Sequence, residues 1–474
     1  MEEPNQPADI PVAKKPLLRA LADAIRGTDA DYTTLDLKKA IFLLAVPMIL
    51  ELVMESTFAV VDIYFVGKLG SSAVATVGLT ETYLFLLYSL AMGLAMAVTA
   101  IIARRVGEKN KEDAGKSAVQ AILLSLLISI PFAIAGIFYS PELLSLMGGD
   151  EWSQTTGFHY TQWMLGANAI IILLFVINAV FRGAGDASIA MWVLITANGL
   201  NMILDPLLIF GWGPIPAMGI EGAAIATTIG RGIAVLVQFY ILAKGGKHIR
   251  VFISDIKWHA ELMQNIVRTS LGGVGQNLIA MTSWIFIMRV LAEVGSEAVA
   301  GATIGLRVML FTLMPAWGMS NAAATLVGQN LGADRPDRAE SAVWKVGVYN
   351  MVFLIAVSLI YYFYNFDLIA IFTDDVRVIE IGGEWLRILA YGYFIYGWWM
   401  VAVQAFNGSG DTETPTIINL VFFWMIQIPL AYLLAIEFDW AELGVFWAVF
   451  FSEASAGIFT LWLFTRGKWK ATRV

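Results

Sequence analysis

The sequence contains no cysteine, three histidines and little charge, with charged residues making up 14% of its 474 positions. Without cysteine, the chain has no disulfide framework, thiolate metal site or catalytic thiol. The histidines are scattered in or near loops, which argues against a histidine metal site. No Ser/His/Asp set, metal-binding motif or nucleotide-binding loop is recognisable, so the sequence does not favour an enzyme and implies no bound cofactor.

Long apolar runs are the feature that the sequence does have. Hydrophobic residues make up 58% of the chain. An apolar run of about 20 residues is long enough to cross a bilayer as a helix. The runs predict an all-α integral membrane protein with twelve spans, numbered 1 to 12 in chain order: 40–66, 73–102, 117–139, 160–181, 188–210, 220–243, 266–291, 298–326, 342–364, 385–406, 414–436 and 443–465.

The longest and most basic internal loop, residues 244–265, divides the chain into two lobes of six spans, an N-lobe of residues 40–243 and a C-lobe of residues 266–465. The remaining residues form an N-terminal tail, 1–39, and a C-terminal tail, 466–474. Because six is an even number, both lobes enter the membrane in the same orientation and should be related by an axis along the membrane normal. Two such lobes around a central cavity are the architecture of an alternating-access transporter.

An internal repeat supports this division. At an offset of 225 residues, "LGSSAVA" (69–75) corresponds to "VGSEAVA" (294–300), and "FRGAGD" (181–186) corresponds to "FNGSGD" (406–411). The glycines of the second pair permit tight turns, which suits helical hairpins; a hinge is the alternative.

Lysine and arginine residues concentrate in the two tails and in the loops after spans 2, 6 and 8. By the positive-inside rule, both termini are expected in the cytoplasm, with the spans in the cell membrane. The tail segment "KKPLLRALADAIRG" (14–27) fits a short amphipathic helix on the cytoplasmic leaflet, and an unstructured tail is the alternative.

Span 1 contains three acids, Glu51, Glu55 and Asp62, where a lipid-spanning helix should contain no charge. At 100° per residue these acids and Pro47 share one helical stripe. An ionised carboxylate in a bilayer costs on the order of several kcal/mol unless it is paired, protonated or in contact with water. No Lys or Arg lies between positions 40 and 67. Asp62 could instead cap a helix, and the glutamates could be protonated interhelical donors.

A second polar stripe lies on span 5 and consists of Asn198, Asn201 and Asp205. The repeat partners of Asp62 and Asp205 are Ile287 and Leu430, so the symmetry of the fold does not require these acids. A functional role explains them better, although Asp205 could simply form a hydrogen bond to a neighbouring helix before Pro206. Arg231 in span 6 and Arg307 in span 8 could line the cavity or snorkel toward the membrane surface, but we expect them to neutralise an acid.

Together these features resemble the MATE (multidrug and toxic compound extrusion) transporters. The resemblance covers residues from about 35 to 465 and includes Pro47 fifteen residues before Asp62, "VDIYFVGKLGSSAVA", the doubled "RGAGD/NGSGD" and "GQNLGAD" (328–334). It implies cation-coupled efflux of amphipathic, mostly cationic organic compounds. The expected partners are these small organic cations and membrane lipid, with no nucleic acid, and the protein is expected to be a monomer.

Within the family the sequence is similar to the DinF-type branch, which includes archaeal members and keeps its coupling acids in the N-lobe. That resemblance implies that Asp62, Asp205, Asn201 and Asn178 couple transport to H⁺ or Na⁺, with no metal other than Na⁺ at Asp62 and Asp205. Another branch has a glutamate in span 7 and an acid in span 10. Span 7 here has Gln276 and span 10 has no acid, so the resemblance implies that the C-lobe cation site is missing. Some relatives have a tyrosine where this chain has Phe58.

Further residues are candidates for the substrate cavity and for a hinge. Pro47 lacks an amide hydrogen, which weakens span 1 and predicts a place for it to bend. The sequence leaves H⁺ and Na⁺ open, because oxygen ligands suit either ion. The alternative functions are a flippase of a lipid-linked precursor with a similar fold, whose anionic substrate calls for a basic cavity, and a channel or membrane enzyme. The cavity candidates are Glu51, Glu55, Asn198, Gln276 and Met400.

Overall fold

The structure, a computed structural model, describes residues 17–245, 249, 251 and 257–473. Within these residues the regular structure is helical, apart from a single bridge between Trp212 and Ile215. A short helix, Leu17–Arg26, precedes the spans. The twelve spans are Leu37–Gly67, Ser71–Gly107, Lys111–Leu146, Ser153–Ala184, Ala187–Phe210, Gly219–Lys244, Ala260–Val294, Ser296–Gly332, Pro336–Ala370, Val376–Ser409, Glu413–Glu437 and Ala441–Thr465.

The predicted spans are confirmed, but many of the helices extend beyond the predicted limits. Eleven helices of the described residues, spans 2 to 12, are long and apolar enough to cross a membrane, and span 1 contains the three acids. Span 10 begins at Val376, well before the predicted start at 385, because Asp375 caps it by accepting hydrogen bonds from two backbone N–H groups. Helical hydrogen bonding continues past the apolar run wherever a polar cap satisfies the first turn.

The doubled glycine motifs form matching helix ends. Gly185 and Gly410 follow spans 4 and 10 in the left-handed region, at φ of 91° and 94°. In each case the next N–H, of Asp186 or Asp411, donates to a phenylalanine carbonyl one turn back, at 2.8 and 3.0 Å. This pairing closes the helix and turns the chain into the next span, so the motifs form hairpins as predicted.

The two lobes contact each other through spans 1, 2, 7 and 8. Gly93 in span 2 lies against the backbone of Val274 in span 7, and Gly318 in span 8 lies against the backbone of Ile49 in span 1. Gly93 and Gly318 are repeat partners, and so are Ile49 and Val274, so the lobes meet through pseudo-symmetric surfaces. Glycine allows this approach because a Cβ atom would occupy the position of the neighbouring backbone.

The contacts continue to one end of the molecule, which we call the basic face; it is formed by the loops after spans 2, 6 and 8. Gly107, at the end of span 2, lies against the carbonyl group of Gln329, and Gly332, at the end of span 8, lies against that of Arg104. The lobes are therefore joined at the basic face.

Buried apolar residues form three clusters. One lies within the N-lobe and a second within the C-lobe. The third lies at the basic face and includes residues from both lobes and both ends of the chain, such as Ala24, Leu44, Leu326 and Trp469. The third cluster fastens the lobes together at the basic face.

The predicted helix is confirmed for Leu17–Arg26, whereas Lys14 and Lys15 lie outside the described residues. Its place on the cytoplasmic leaflet stays a prediction. The helix packs on the protein, since Trp192 of span 5 donates to the carbonyl of Ile25 at 2.9 Å.

The chain between this helix and span 1 contacts both lobes at the basic face. On the N-lobe side, Asp31 pairs with Lys109 at 2.6 Å. On the C-lobe side, Arg335 donates to the carbonyl of Thr33 at 2.8 Å, and Arg338 donates to that of Tyr32 at 3.2 Å.

Candidate functional site

Glu51 lies in the interior of the N-lobe and is 4% exposed. Its carboxylate accepts hydrogen bonds from Arg182 at 2.7 Å and from Asn178 at 3.2 Å. The amide oxygen of Asn178 in turn accepts from Gln238 at 2.7 Å. The structure therefore places Asn178 beside Glu51, and Glu51 is part of a buried ion pair between spans 1 and 4.

Glu55, one turn further along span 1, is held by a second arginine. It accepts hydrogen bonds from Asn198 at 3.0 Å and from Arg231 at 3.2 Å. Arg231 also donates to the hydroxyl of Tyr88 at 3.2 Å, and its guanidinium lies 5.4 Å from the centre of the Phe58 ring. The prediction that Arg231 neutralises an acid is confirmed.

Asp205 is fully buried and belongs to a separate polar group on spans 5 and 6. With its amide oriented to satisfy both of its polar atoms, Asn201 donates to Asp205 at 2.8 Å and accepts from the hydroxyl and the N–H of Thr227, both at 2.9 Å. This arrangement gives Asp205 one neutral donor, and no basic side chain of the described residues forms an ion pair with it.

Asp62 and Asp205, unlike Glu51 and Glu55, form no ion pair with an arginine of the described residues. Within the part of the chain that the structure describes, the arginine pairs of the N-lobe interior involve only Glu51 and Glu55. Asp62 and Asp205 each lie five residues before the end of their spans, at the face opposite the basic face. They are near enough for their charges to interact. Asp205 is buried and Asp62 is half-buried, and the charge of Arg231 acts on Asp62 from beyond ion-pair distance. Carboxylates at this depth that form no ion pair can take up H⁺ or Na⁺, which would remove their mutual repulsion.

The C-lobe contains a neutral counterpart of the first ion pair. The repeat partner of Glu51 is Gln276, and that of Arg182 is Asn407. Gln276 donates to Asn407 at 2.9 Å, and Asn407 donates back at 3.3 Å. Gln276 is 4% exposed and also donates to the carbonyl of Thr412 at 3.1 Å. The structure thus places this cavity candidate inside a buried amide pair.

The two remaining candidates lie in packed surroundings. Met400 is 5% exposed and belongs to the hydrophobic cluster of the C-lobe. Pro47 is buried within span 1, which continues through it as one helix. Gly318 of span 8 lies against the backbone of Met48 and Ile49, so the weakened turn is at the contact between the lobes.

Sequence reasoning missed Arg182 and Glu453. Arg182 lies in the doubled "FRGAGD/FNGSGD" motif, and its replacement by Asn407 in the second copy was a signal that the two lobes differ in charge at this position. Glu453 is an acid in the middle of span 12, which contains no Lys or Arg. The acids of span 1 were singled out because they lie inside an apolar span without Lys or Arg, and Glu453 meets the same criterion.

Comparisons with known proteins agree with the fold. The MatE family model matches residues 47–207 and 273–433, once in each lobe. The chain is 26% identical over 441 residues to a probable multidrug resistance protein NorM of Thermotoga maritima, covering 93% of this chain and 94% of that protein. It is 28% identical over 389 residues to an FAD transporter of Shewanella oneidensis, covering 82% of this chain and 86% of that protein. A solved outward-facing conformation of a multidrug resistance MATE family transporter has a TM-score of 0.85 and 25% identity, covering 95% of this chain and 98% of that one.

Proposed function

Since the chain belongs to the MatE family, whose members are transporters and not enzymes, we propose that it exports amphipathic, mostly cationic organic compounds in exchange for H⁺ or Na⁺. The observation that carries this proposal is the division of the N-lobe acids. Glu51 and Glu55 have arginine partners, whereas Asp62 and Asp205 have none among the described residues. The charge that these two aspartates place at membrane depth is negative, and it suits a cation as coupling ion.

The orientation follows from the charge of the loops. The basic face is cytoplasmic by the positive-inside rule, with both termini on that side of the cell membrane. The contacts between the lobes cluster at the basic face, which supports an arrangement that opens on the outer side. In that arrangement Asp62 and Asp205 lie toward the outer end of their helices, where an external cation reaches them.

Coupling then requires that the cation and the substrate favour different states. Neutralisation of Asp62 and Asp205 lets span 1 repack against spans 5 and 6, with Pro47 as the place where it bends. The side chain of Glu55 is 30% exposed, so an organic cation would reach its carboxylate and replace Arg231 as its partner. The side chain of Glu51 is 5% exposed, and Arg182 holds it inside the lobe. Coupling acids confined to the N-lobe are the pattern of the DinF-type branch.

An anionic substrate is the second candidate, because one relative is an FAD transporter. A flippase of a lipid-linked precursor would need similar chemistry. Either would need an unpaired basic group in the cavity. Arg182 and Arg231 are both engaged with glutamates, and Arg307 of span 8 lies near enough to Glu81 for their charges to interact, which favours the cationic substrate.

A flux assay in proteoliposomes tests the proposal and its rivals. We expect efflux of a fluorescent organic cation to depend on an imposed H⁺ or Na⁺ gradient and to be lost in Asp62→Asn. The exposed Asp374→Asn, outside the site, is the matched control and should transport normally. Wild-type efflux by Asp62→Asn at normal expression would overturn the mechanism, and gradient-driven movement of FAD alone would favour the anionic substrate.

A further inference from the structure

Glu453 lies in the middle of span 12, twelve residues from each end of Ala441–Thr465. At 1.5 Å per residue this is about 18 Å from either end, which is the depth of the bilayer centre. Its repeat partner is Thr228, so the symmetry of the fold does not require an acid at this position. The sequence resemblance implied no C-lobe acid in spans 7 and 10, and Glu453 is on neither.

Glu453 lines a crevice between spans 10 and 12 with a cavity volume of about 10 Å³. The walls include the rings of Tyr393 and Tyr396 from span 10 and of Phe450 from span 12, beside the small residue Gly392. This volume is about that of a single water site and far below the range of about 300–1,000 Å³ of pockets for drug-sized ligands. The crevice therefore suits a very small ligand.

The charged surroundings of Glu453 are sparse. Spans 7, 10 and 11 pack against span 12. Tyr393 and Tyr396 are the titratable groups from these helices that line the crevice. No basic side chain of the described residues interacts with Glu453. Glu442, eleven residues earlier on the same span, differs because Arg377 holds it at 2.6 Å.

An ionised carboxylate at this depth without a counter-charge is unfavourable by on the order of several kcal/mol. The group is therefore stable when it holds a proton or a bound cation. Na⁺ prefers several oxygen ligands, and the crevice offers one carboxylate and two phenol groups. A proton needs only the carboxylate.

We propose that Glu453 is a proton-binding site of the C-lobe, separate from Asp62 and Asp205. It takes up one proton from water that reaches the crevice and releases it when the crevice changes shape. The site goes beyond the proposed N-lobe coupling, since it adds a proton-binding group to the C-lobe. It stands whether or not the two aspartates drive transport.

Carbodiimide labelling tests the site, because dicyclohexylcarbodiimide is an apolar reagent that modifies protonated carboxyl groups at membrane depth. Purified full-length protein in detergent would be labelled across a range of pH, digested and mapped by mass spectrometry. We expect label at Glu453 at low pH and its loss as the pH rises. Glu442 is the matched control on the same helix and should stay unlabelled, because Arg377 holds its carboxylate in an ion pair at 2.6 Å.

The controls separate this site from the proposed function. In the double variant Asp62→Asn/Asp205→Asn, efflux should be lost while label at Glu453 persists. Glu453→Gln should lose that label and no other. Absence of label on wild-type Glu453 at every pH would overturn the proposal even if transport is normal. Protection of Glu453 by sodium chloride but not by choline chloride would also overturn it, because Na⁺ would then occupy the crevice.

Discussion

Arg182 donates a hydrogen bond to Glu51 at 2.7 Å and so joins span 4 to span 1 inside the N-lobe. One repeat offset later the same places hold Asn407 and Gln276, which pair through their amides at 2.9 Å. The fold therefore keeps a polar link at this position in both lobes, ionic in one and neutral in the other. An ionic link can be broken by protonation or by a competing cation, whereas the amide link does not respond to charge.

A pair of substitutions would convert the ionic link into the neutral one. Arg182→Asn alone leaves Glu51 as an unpaired buried charge, and we expect a loss of roughly 3–5 kcal/mol in the free energy of unfolding. Adding Glu51→Gln recreates the C-lobe pair and should recover most of that loss. Thermal unfolding in detergent measures both. If the double variant is no more stable than Arg182→Asn, the repeat positions are not equivalent.

Gln276 and Asp205 should differ in the kind of defect that they cause. Gln276→Ala removes both hydrogen bonds with Asn407 and should lower stability by about 1–3 kcal/mol, because the side-chain oxygen of the buried Asn407 loses the donor that Gln276 supplies. Coupled efflux per folded molecule should remain, since no charge is lost. Asp205→Asn should fold and lose coupled efflux. Vesicle flux normalised to folded protein measures this contrast, and equal loss of flux would point to a coupling role for Gln276.

The absence of native cysteine allows a direct test of the contact between the lobes. A Cβ atom at position 328 would lie 2.6 Å from the Cβ of Ala103, across the basic face. Ala103→Cys/Gly328→Cys should therefore cross-link under mild oxidation with a small adjustment of the helices. We expect the cross-linked protein to lose efflux and to regain it on reduction, while each single variant transports. Full activity in the cross-linked form would mean that the lobes do not part at this contact.

Asp31 provides a pH-dependent test at the basic face. Partial burial alone would raise the pKa of its carboxyl group, but hydrogen bonds from Lys109 and Thr33 outweigh this effect and lower the pKa to about 2. Because the folded pKa is below the unfolded value of 3.8, the pair stabilises the fold above about pH 4, and this stabilisation is lost as the pH falls toward 2. Carboxyl NMR of labelled aspartate measures the titration. In Lys109→Ala the pKa should move back toward 3.8, and an unchanged value would exclude the contact.

The spans and the repeat could be predicted because the bilayer limits the choices. Backbone polar groups in lipid must be satisfied within a helix, so a run of about 20 apolar residues is sufficient evidence for a span. The repeat offset of 225 residues could be recognised from glycines that recur at helix ends, because the turn there leaves little freedom in the choice of residue.

The division of the acids could not be predicted in the same way. Helical spacing shows that Glu51, Glu55 and Asp62 share a face, but it does not show which residues of other helices meet that face. Arg182 lies at the end of span 4 and reaches Glu51 only because spans 1 and 4 cross there. Contacts of this kind depend on how the helices pack in three dimensions, which spacing along one helix does not contain.

The segment before span 1 has a further consequence. Through Asp31 it binds the N-lobe, and through Thr33 it binds the C-lobe. A segment whose contacts span both lobes acts as an intramolecular ligand of the joined arrangement, present at a high effective concentration because it is part of the same chain. In the proposed alternating-access mechanism, the balance between the two states would thus be set partly outside the membrane, and the binding strength of a few residues at its surface would set how readily the lobes part at the basic face.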